Sequence, residues 1–195
     1  MKKILLSIIL LIVSSFAFSQ FSLGIKAGTN FSSLSSVSTC FNSGSIMRSG
    51  FEVGAFARVG ERFYVQPELL YAMKVVDVSG NVAGYEYEYD LLKSQYVSIP
   101  VLFGFKIIDK NCFNFRLFLG PQFDVVLGTD YRGDGYNGVD FNDFVVGGRA
   151  GLGMDIWRFT LDASYNLDLT NLAASGSGSI KINGVNVGVG FKIFK

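Results

Sequence analysis

The chain has 195 residues, with 17 Lys and Arg against 16 Asp and Glu, 23 glycines, three prolines and no histidine. Charged residues make up 17%, below the roughly 25% of an average soluble domain, and the length leaves room for one domain. A net charge of +1 makes no case for nucleic acid or a strongly acidic partner, and the lack of histidine excludes Ser-His-Asp and Cys-His catalysis and any His-containing metal site.

Residues 1–19 read as a cleaved secretory signal. Lys2 and Lys3 give the basic start, Ile4 to Val13 the apolar stretch, and Ala17-Phe18-Ser19 the small cleavage residues, so Gln20 begins the mature chain. Its loss leaves 15 cations against 16 acids. No Cys follows the apolar stretch, which argues against a lipoprotein signal, and no later run of about 20 apolar residues offers a transmembrane helix.

From Gln20 onward, eight segments alternate apolar and polar residues, the period of a β-strand with a different solvent on each face. The first, about 21–31, puts Leu23, Ile25 and Ala27 on one face and Lys26 and Asn30 on the other. The second, about 49–60, has Phe51, Val53, Ala55, Ala57 and Val59 opposite Glu52 and Arg58. The third, about 63–78, sets Phe63, Val65, Pro67, Leu69, Tyr71 and Met73 against Gln66, Glu68 and Lys74. The fourth, about 92–107, has Val97, Ile99, Val101, Phe103 and Phe105 opposite Ser98 and Lys106.

The fifth, 113–127, is the longest regular alternation: odd positions from Phe113 to Leu127 are apolar, and the even set includes Asn114, Arg116, Phe118, Gln122 and Asp124. The sixth, about 143–156, places Arg149 and Asp155 opposite Phe144, Val146, Ala150, Leu152 and Met154. The seventh, about 159–169, places Asp162 and Asn166 opposite Phe159, Leu161, Ala163, Tyr165 and Leu167. The eighth, about 179–194, carries Val185 to Ile193 opposite Asn186, Gly188, Gly190 and Lys192. Ile180 and Ile182 are out of step with it, which predicts a bulge at Asn183-Gly184, with a tight Asn-Gly hairpin as the rival reading.

No apolar face carries a charge. The strands are too many and too long for a small sandwich core, and eight strands leave too little interior for so many Phe and Leu side chains. The pattern predicts an eight-stranded, antiparallel, up-and-down transmembrane β-barrel over residues 20–195, apolar side to lipid and polar side inward. Connections alternate between tight turns (60–62, 109–111, 157–158) and long polar loops (32–48, 79–91, 128–142, 170–178), as in barrels with short periplasmic turns and longer outside loops. Strand-end aromatics such as Phe21, Phe63, Phe113, Phe144, Trp157 and Phe194 suit interfacial girdles. Pro67, Pro100 and Pro121 fall inside strands, where bulges or missing ladder bonds are expected. Cys40 and Cys112 fall at opposite barrel ends, too far apart for the roughly 7 Å a disulfide allows.

Several segments together carry a resemblance to a family: Gly24-Ile25-Lys26-Ala27-Gly28, Gln66-Pro67-Glu68-Leu69-Leu70-Tyr71, Ser98-Ile99-Pro100-Val101-Leu102, Gly120-Pro121-Gln122 and Gly188-Val189-Gly190-Phe191-Lys192. In this order the chain resembles the PorT-like outer-membrane β-barrel family of the Bacteroidetes, an OmpA-barrel-like group. The resemblance implies an eight-stranded outer-membrane barrel. Members share no single activity, and one assists a secretion apparatus. The chain departs from barrels that end on an aromatic residue, since Phe194 is penultimate.

The candidate site is a lumen charge network of Lys26, Glu52, Arg58, Glu68, Lys74, Arg116, Asp124, Arg149, Asp155 and Asp162, flanked by Lys106 and Lys192. Buried charges need partners, so a salt-bridged plug is favoured over an ion path. No catalytic residue, cofactor or metal is predicted. The acidic loop of Asp130-Tyr131-Arg132-Gly133-Asp134-Gly135, Asp140 and Asp143 matches no EF-hand and reads as solvated rather than as a Ca²⁺ site. Tyr85 to Asp90, alternating aromatic and acidic residues, reads as a hairpin extending above the membrane. The expected partners are outer-membrane lipid and envelope proteins met through the outside loops. The function read from the sequence is a non-enzymatic envelope protein of a Gram-negative outer membrane. The alternatives are a narrow channel for ions or small solutes and a soluble lipocalin-like barrel.

Overall fold

The computed structural model describes residues 20–36, 48–78, 81–82, 85–86, 90–110, 112–132, 144–170 and 180–194; the predicted signal lies outside them. In chain order the strands are β1 (Phe21–Ser36), β2 (Arg48–Gly60), β3 (Phe63–Val78), β4 (Asn81–Val82), β5 (Tyr85–Glu86), β6 (Asp90–Asp109), β7 (Phe113–Arg132), β8 (Phe144–Ile156), β9 (Phe159–Asp168) and β10 (Ile180–Phe194). Eight of them close an antiparallel barrel in the order β1-β10-β9-β8-β7-β6-β3-β2. Closure leaves no unpaired sheet edge, which a strand in lipid cannot tolerate. The remaining two, β4 and β5, form a two-pair hairpin apart from the barrel.

The sequence pattern sets the register. Because side chains alternate faces, the buried charges of the barrel strands fall on the same side once neighbouring strands pair. On β9 the residues alternate strictly, Phe159 to Leu167 exposed and Thr160 to Asp168 buried. Leu119 is 66% exposed on β7, while Arg116 on the same strand is fully buried. The exposed apolar side chains form the wall, and the barrel interior is the core.

The aromatics pair across strands at two levels. Phe63 stacks near Phe105 (centroids 4.8 Å apart) and Phe159 meets Phe191 edge-on at 5.3 Å, close to the short turns. Phe51 lies 6.1 Å from Tyr71, and Phe123 lies 6.2 Å from Phe144, toward the other end. From Phe113 to Phe123 a strand rises about 33 Å at about 3.3 Å per residue, or about 25 Å along the axis at the usual tilt. That is the height of an outer-membrane apolar band.

The strands run further than the alternation alone predicts. The β3–β6 ladder continues to Val78↔Asp90, and β7 pairs with β6 as far as Leu91↔Arg132. Asp130, Tyr131 and Arg132 are therefore ladder residues, not loop; the rest of the predicted acidic loop lies outside the described residues. The β4–β5 pair lies in the long connection that begins after Val78, where the acidic-aromatic stretch was expected to extend as a hairpin. Residues 87–89 of that stretch lie outside the description.

The predicted bulge at Asn183-Gly184 is absent. The β1–β10 register runs without a step from Ser36↔Ile180 through Ser32↔Gly184, so the rival hairpin is absent too. The step in that ladder falls at the other end, between Leu23 and Gly24. The reason is length: β1 extends five residues past Phe31 and supplies backbone partners that hold β10 straight.

The three prolines leave gaps rather than bulges. Paired positions jump from Pro67↔Val101 to Leu70↔Ser98, and from Pro100↔Gln122 to Phe103↔Leu119, with the register unchanged across each jump. A proline lacks the donor but fits the extended backbone, so bonds are lost and no residue is added. Cys112 is exposed in the turn before β7 and Cys40 lies outside the described residues.

Candidate functional site

The lumen is narrow, and its floor plan follows from side-chain size. Tyr64, Phe56, Tyr96 and Phe118 point inward and are almost fully buried, with Leu70, Leu102 and Val145. Space for the largest groups comes from glycines on neighbouring strands. A Cβ at Gly153 would overlap the Arg116 guanidinium, and one at Gly104 would overlap the Tyr64 ring. The parity of these inward apolar residues, the same as that of the charged set, is the signal that the charge-centred sequence reading passed over.

Through this packing runs a chain of alternating charges. Lys192 on β10 reaches Asp155 on β8 at 2.8 Å, and Asp155 also accepts Arg58 of β2 at 2.6 Å. Asp155 accepts Arg116 of β7 at 3.3 Å, and Arg116 donates in turn to Asp162 of β9. Asp162 lies 3.3 Å from Lys26 of β1, and Lys26 lies 3.2 Å from Glu68 of β3. Glu68 is 3.6 Å from Arg149 of β8, and Arg149 pairs with Glu52 of β2 at 3.1 Å. The Lys74–Asp124 pair, at 3.1 Å, joins the chain through Gln122, which donates to Asp124 and accepts from Arg149, both at 2.9 Å.

All ten residues singled out from the sequence thus lie in one connected network. Asp168, also buried on the inward face of β9 at the parity of Asp162 and Asn166, is a further lumen charge outside the ten. Lys106 pairs with Asp109 at 3.6 Å near the short-turn end. Among the described residues the buried charges are seven cations and six carboxylates, a near-neutral lumen.

Arg116 is the hub. Its guanidinium donates to Asp155, to the Tyr64 hydroxyl at 3.2 Å, to Thr160 at 2.6 Å and to Asp162. The five donors of a guanidinium fork suit such a crossing point, where a lysine offers only a point charge. Arg58 uses Nε for Gln66 and Nη1 for Asp155, both at 2.6 Å, and lies 5.0 Å from the Tyr64 ring centroid. Gln66 passes a further hydrogen bond of 2.5 Å to Glu68. Chains of this kind stiffen a narrow interior because each partner fixes the next.

The arrangement fills the bore with paired side chains and leaves the apolar face to lipid. A soluble barrel with an apolar ligand cavity requires the reverse, so the lipocalin-like alternative falls. Fold and site together define a small transmembrane β-barrel with a charge-filled lumen.

The chain belongs to the outer membrane protein beta-barrel domain family, whose model matches residues 15–174. Membership indicates a Gram-negative outer membrane. No curated protein matches the sequence. Among solved structures, the chain is similar to the outer membrane protein OprG from Pseudomonas aeruginosa, with a TM-score of 0.53 and 13% identity over 90% of this chain and 96% of that one. It also matches Ail, the attachment invasion locus protein of Yersinia pestis, and Neisserial surface protein A, each with a TM-score of 0.48 and 14% identity over 89% of this chain and 99% of the other. At such identities the likeness is one of fold.

Proposed function

We propose that this protein is a non-enzymatic outer-membrane barrel with a closed lumen, serving a structural or accessory role in the cell envelope through its long loops. The single observation that carries the reading is the continuous ion-pair chain from Lys192 to Glu52, with Arg116 fully buried at its centre. Moving an ion through this bore means breaking several buried pairs at once, each costing about 3–5 kcal/mol when one partner is lost. Function then falls to parts of the chain outside the bore, and the long polar connections are the candidates. The segment resemblances to the PorT-like family of the Bacteroidetes support a secretion-associated role, with the short turns in the periplasm and the predicted signal directing export.

Planar-bilayer recording on the purified barrel tests the closed lumen. The wild type is expected to give no conductance steps. Steps whose size changes in Glu68→Ala or Arg149→Ala would replace this reading with a narrow channel for ions or small solutes. The accessory role is tested by photo-crosslinking from Tyr87 in intact cells: a discrete envelope-protein adduct is expected, and its absence together with conductance would favour the channel.

A further inference from the structure

We propose that the short-turn mouth of the barrel is an oxyanion-binding site, built for a phosphate-sized dianion or for a phosphate group carried on a larger molecule. A cavity of about 260 Å³ opens there, lined by Arg58, Lys106, Lys110, Lys192, Asp109 and Asn114 among others. A water takes about 30 Å³ of liquid, so a small oxyanion fits with part of its hydration shell.

Charge is unevenly distributed in the barrel. The lumen as a whole is near neutral, with seven buried cations and six buried carboxylates among the described residues. At this mouth the balance fails. Four cations line the cavity, and the one carboxylate lining it, Asp109, is exposed and 3.6 Å from Lys106. The nearest buried carboxylate, Asp155, is already shared by Arg58, Lys192 and Arg116. Arg116 has Asp162 as a second partner, which leaves Arg58 and Lys192 on Asp155 and Lys106 and Lys110 beside Asp109: four lining cations against two acids in a half-enclosed space.

Two groups are short of acceptors. Arg58 Nη2 is buried and has no hydrogen-bond partner, although its Nε and Nη1 are both used. Lys106 is 5% exposed, and among the described residues its ammonium has the long contact to Asp109. Buried donors without acceptors are costly, and an oxyanion offers several acceptors at once through charge-assisted bonds. Asn114 at the rim adds an amide. A halide accepts from any direction but offers a single atom, so it cannot span donors that lie apart as the separate oxygens of an oxyanion can.

The test uses the refolded full barrel in maltoside micelles, which carry no phosphate. Inorganic phosphate is titrated calorimetrically at fixed ionic strength. Saturable binding at about 1 mM or tighter is expected, competed by sulfate and not by chloride. The Lys106→Gln/Lys110→Gln variant is expected to bind roughly tenfold more weakly or worse. Lys110→Gln alone lies in an exposed turn and spares the fold, so it keeps the test sound if Lys106→Gln misfolds; it too must weaken binding.

Repeating the titration in phosphatidylglycerol nanodiscs separates the sources. Loss of phosphate uptake there, with uptake kept in phosphatidylcholine discs, identifies a lipid headgroup as the occupant; equal uptake identifies a soluble anion. Absence of saturation, equal affinity in both lysine variants, or competition by chloride equal to that by sulfate would overturn the proposal.

Discussion

Replacing Arg116 with Ala removes the hub of the lumen network, and the cost can be worked from its partners. Four donated bonds are lost, to Asp155, Tyr64, Thr160 and Asp162. Asp155 keeps Arg58 at 2.6 Å and Lys192 at 2.8 Å, so it stays compensated. Asp162 keeps only Lys26 among its ion pairs, at 3.3 Å, and Lys26 is shared with Glu68. Losing one partner of a buried pair costs about 3–5 kcal/mol, and the retained bonds at Asp155 put this case near the lower bound, about 3 kcal/mol. Urea unfolding in lipid vesicles, followed by emission of Trp157, the sole tryptophan, measures it. A double-mutant cycle with Asp162→Asn should show a coupling of about 1–3 kcal/mol, because the second change removes the charge the first left exposed. A loss below about 1 kcal/mol for Arg116→Ala, with no coupling, would refute the reasoning that this network holds the interior.

Gly153→Ala should destabilise by about 1–3 kcal/mol, because its Cβ overlaps the Arg116 guanidinium; the same substitution in an Arg116→Ala background should cost nearly nothing in the same assay. Pro121→Ala restores a donor at a gap in the β6–β7 ladder, so unfolding should show a change between zero and about 1 kcal/mol of added stability; a clear loss would mean the gap is required by the wall's shape.

The sequence was most legible where one face was forced by solvent. Leu119 and Arg116 lie three positions apart and could be assigned to opposite sides from period alone, since a charge toward lipid is costly and no strand carries one there. Strand phase also placed all ten network residues in the lumen, although not which acid meets which base. Those pairings depend on the stagger of the closed sheet, as when Lys26 on β1 meets Glu68 on β3 past the intervening β2. Strand ends were least legible. Asp130 to Arg132 read as loop because they are polar, yet their backbone continues the ladder against Lys93 to Leu91. Ile180 and Ile182 suggest a slip of register from their phase alone, but their backbone stays in step with Ser36 and Leu34 on β1, so no bulge is required. The inward Tyr64 and Phe118 were set by parity but drew less notice than the charges beside them.

The account rests on the apolar face meeting lipid and the charged face meeting itself. Heat-modifiable gel mobility of the protein from isolated outer membranes tests that most directly, with Leu119→Asp as the probe on the exposed face. Wild type is predicted to give a fast band that shifts on boiling, and Leu119→Asp, which places a carboxylate in the wall between the two aromatic levels, is predicted to lose that band from the membrane fraction. A Leu119→Asp protein that keeps the heat-sensitive band, or a wild type that fractionates as a soluble protein without any shift, would contradict the account.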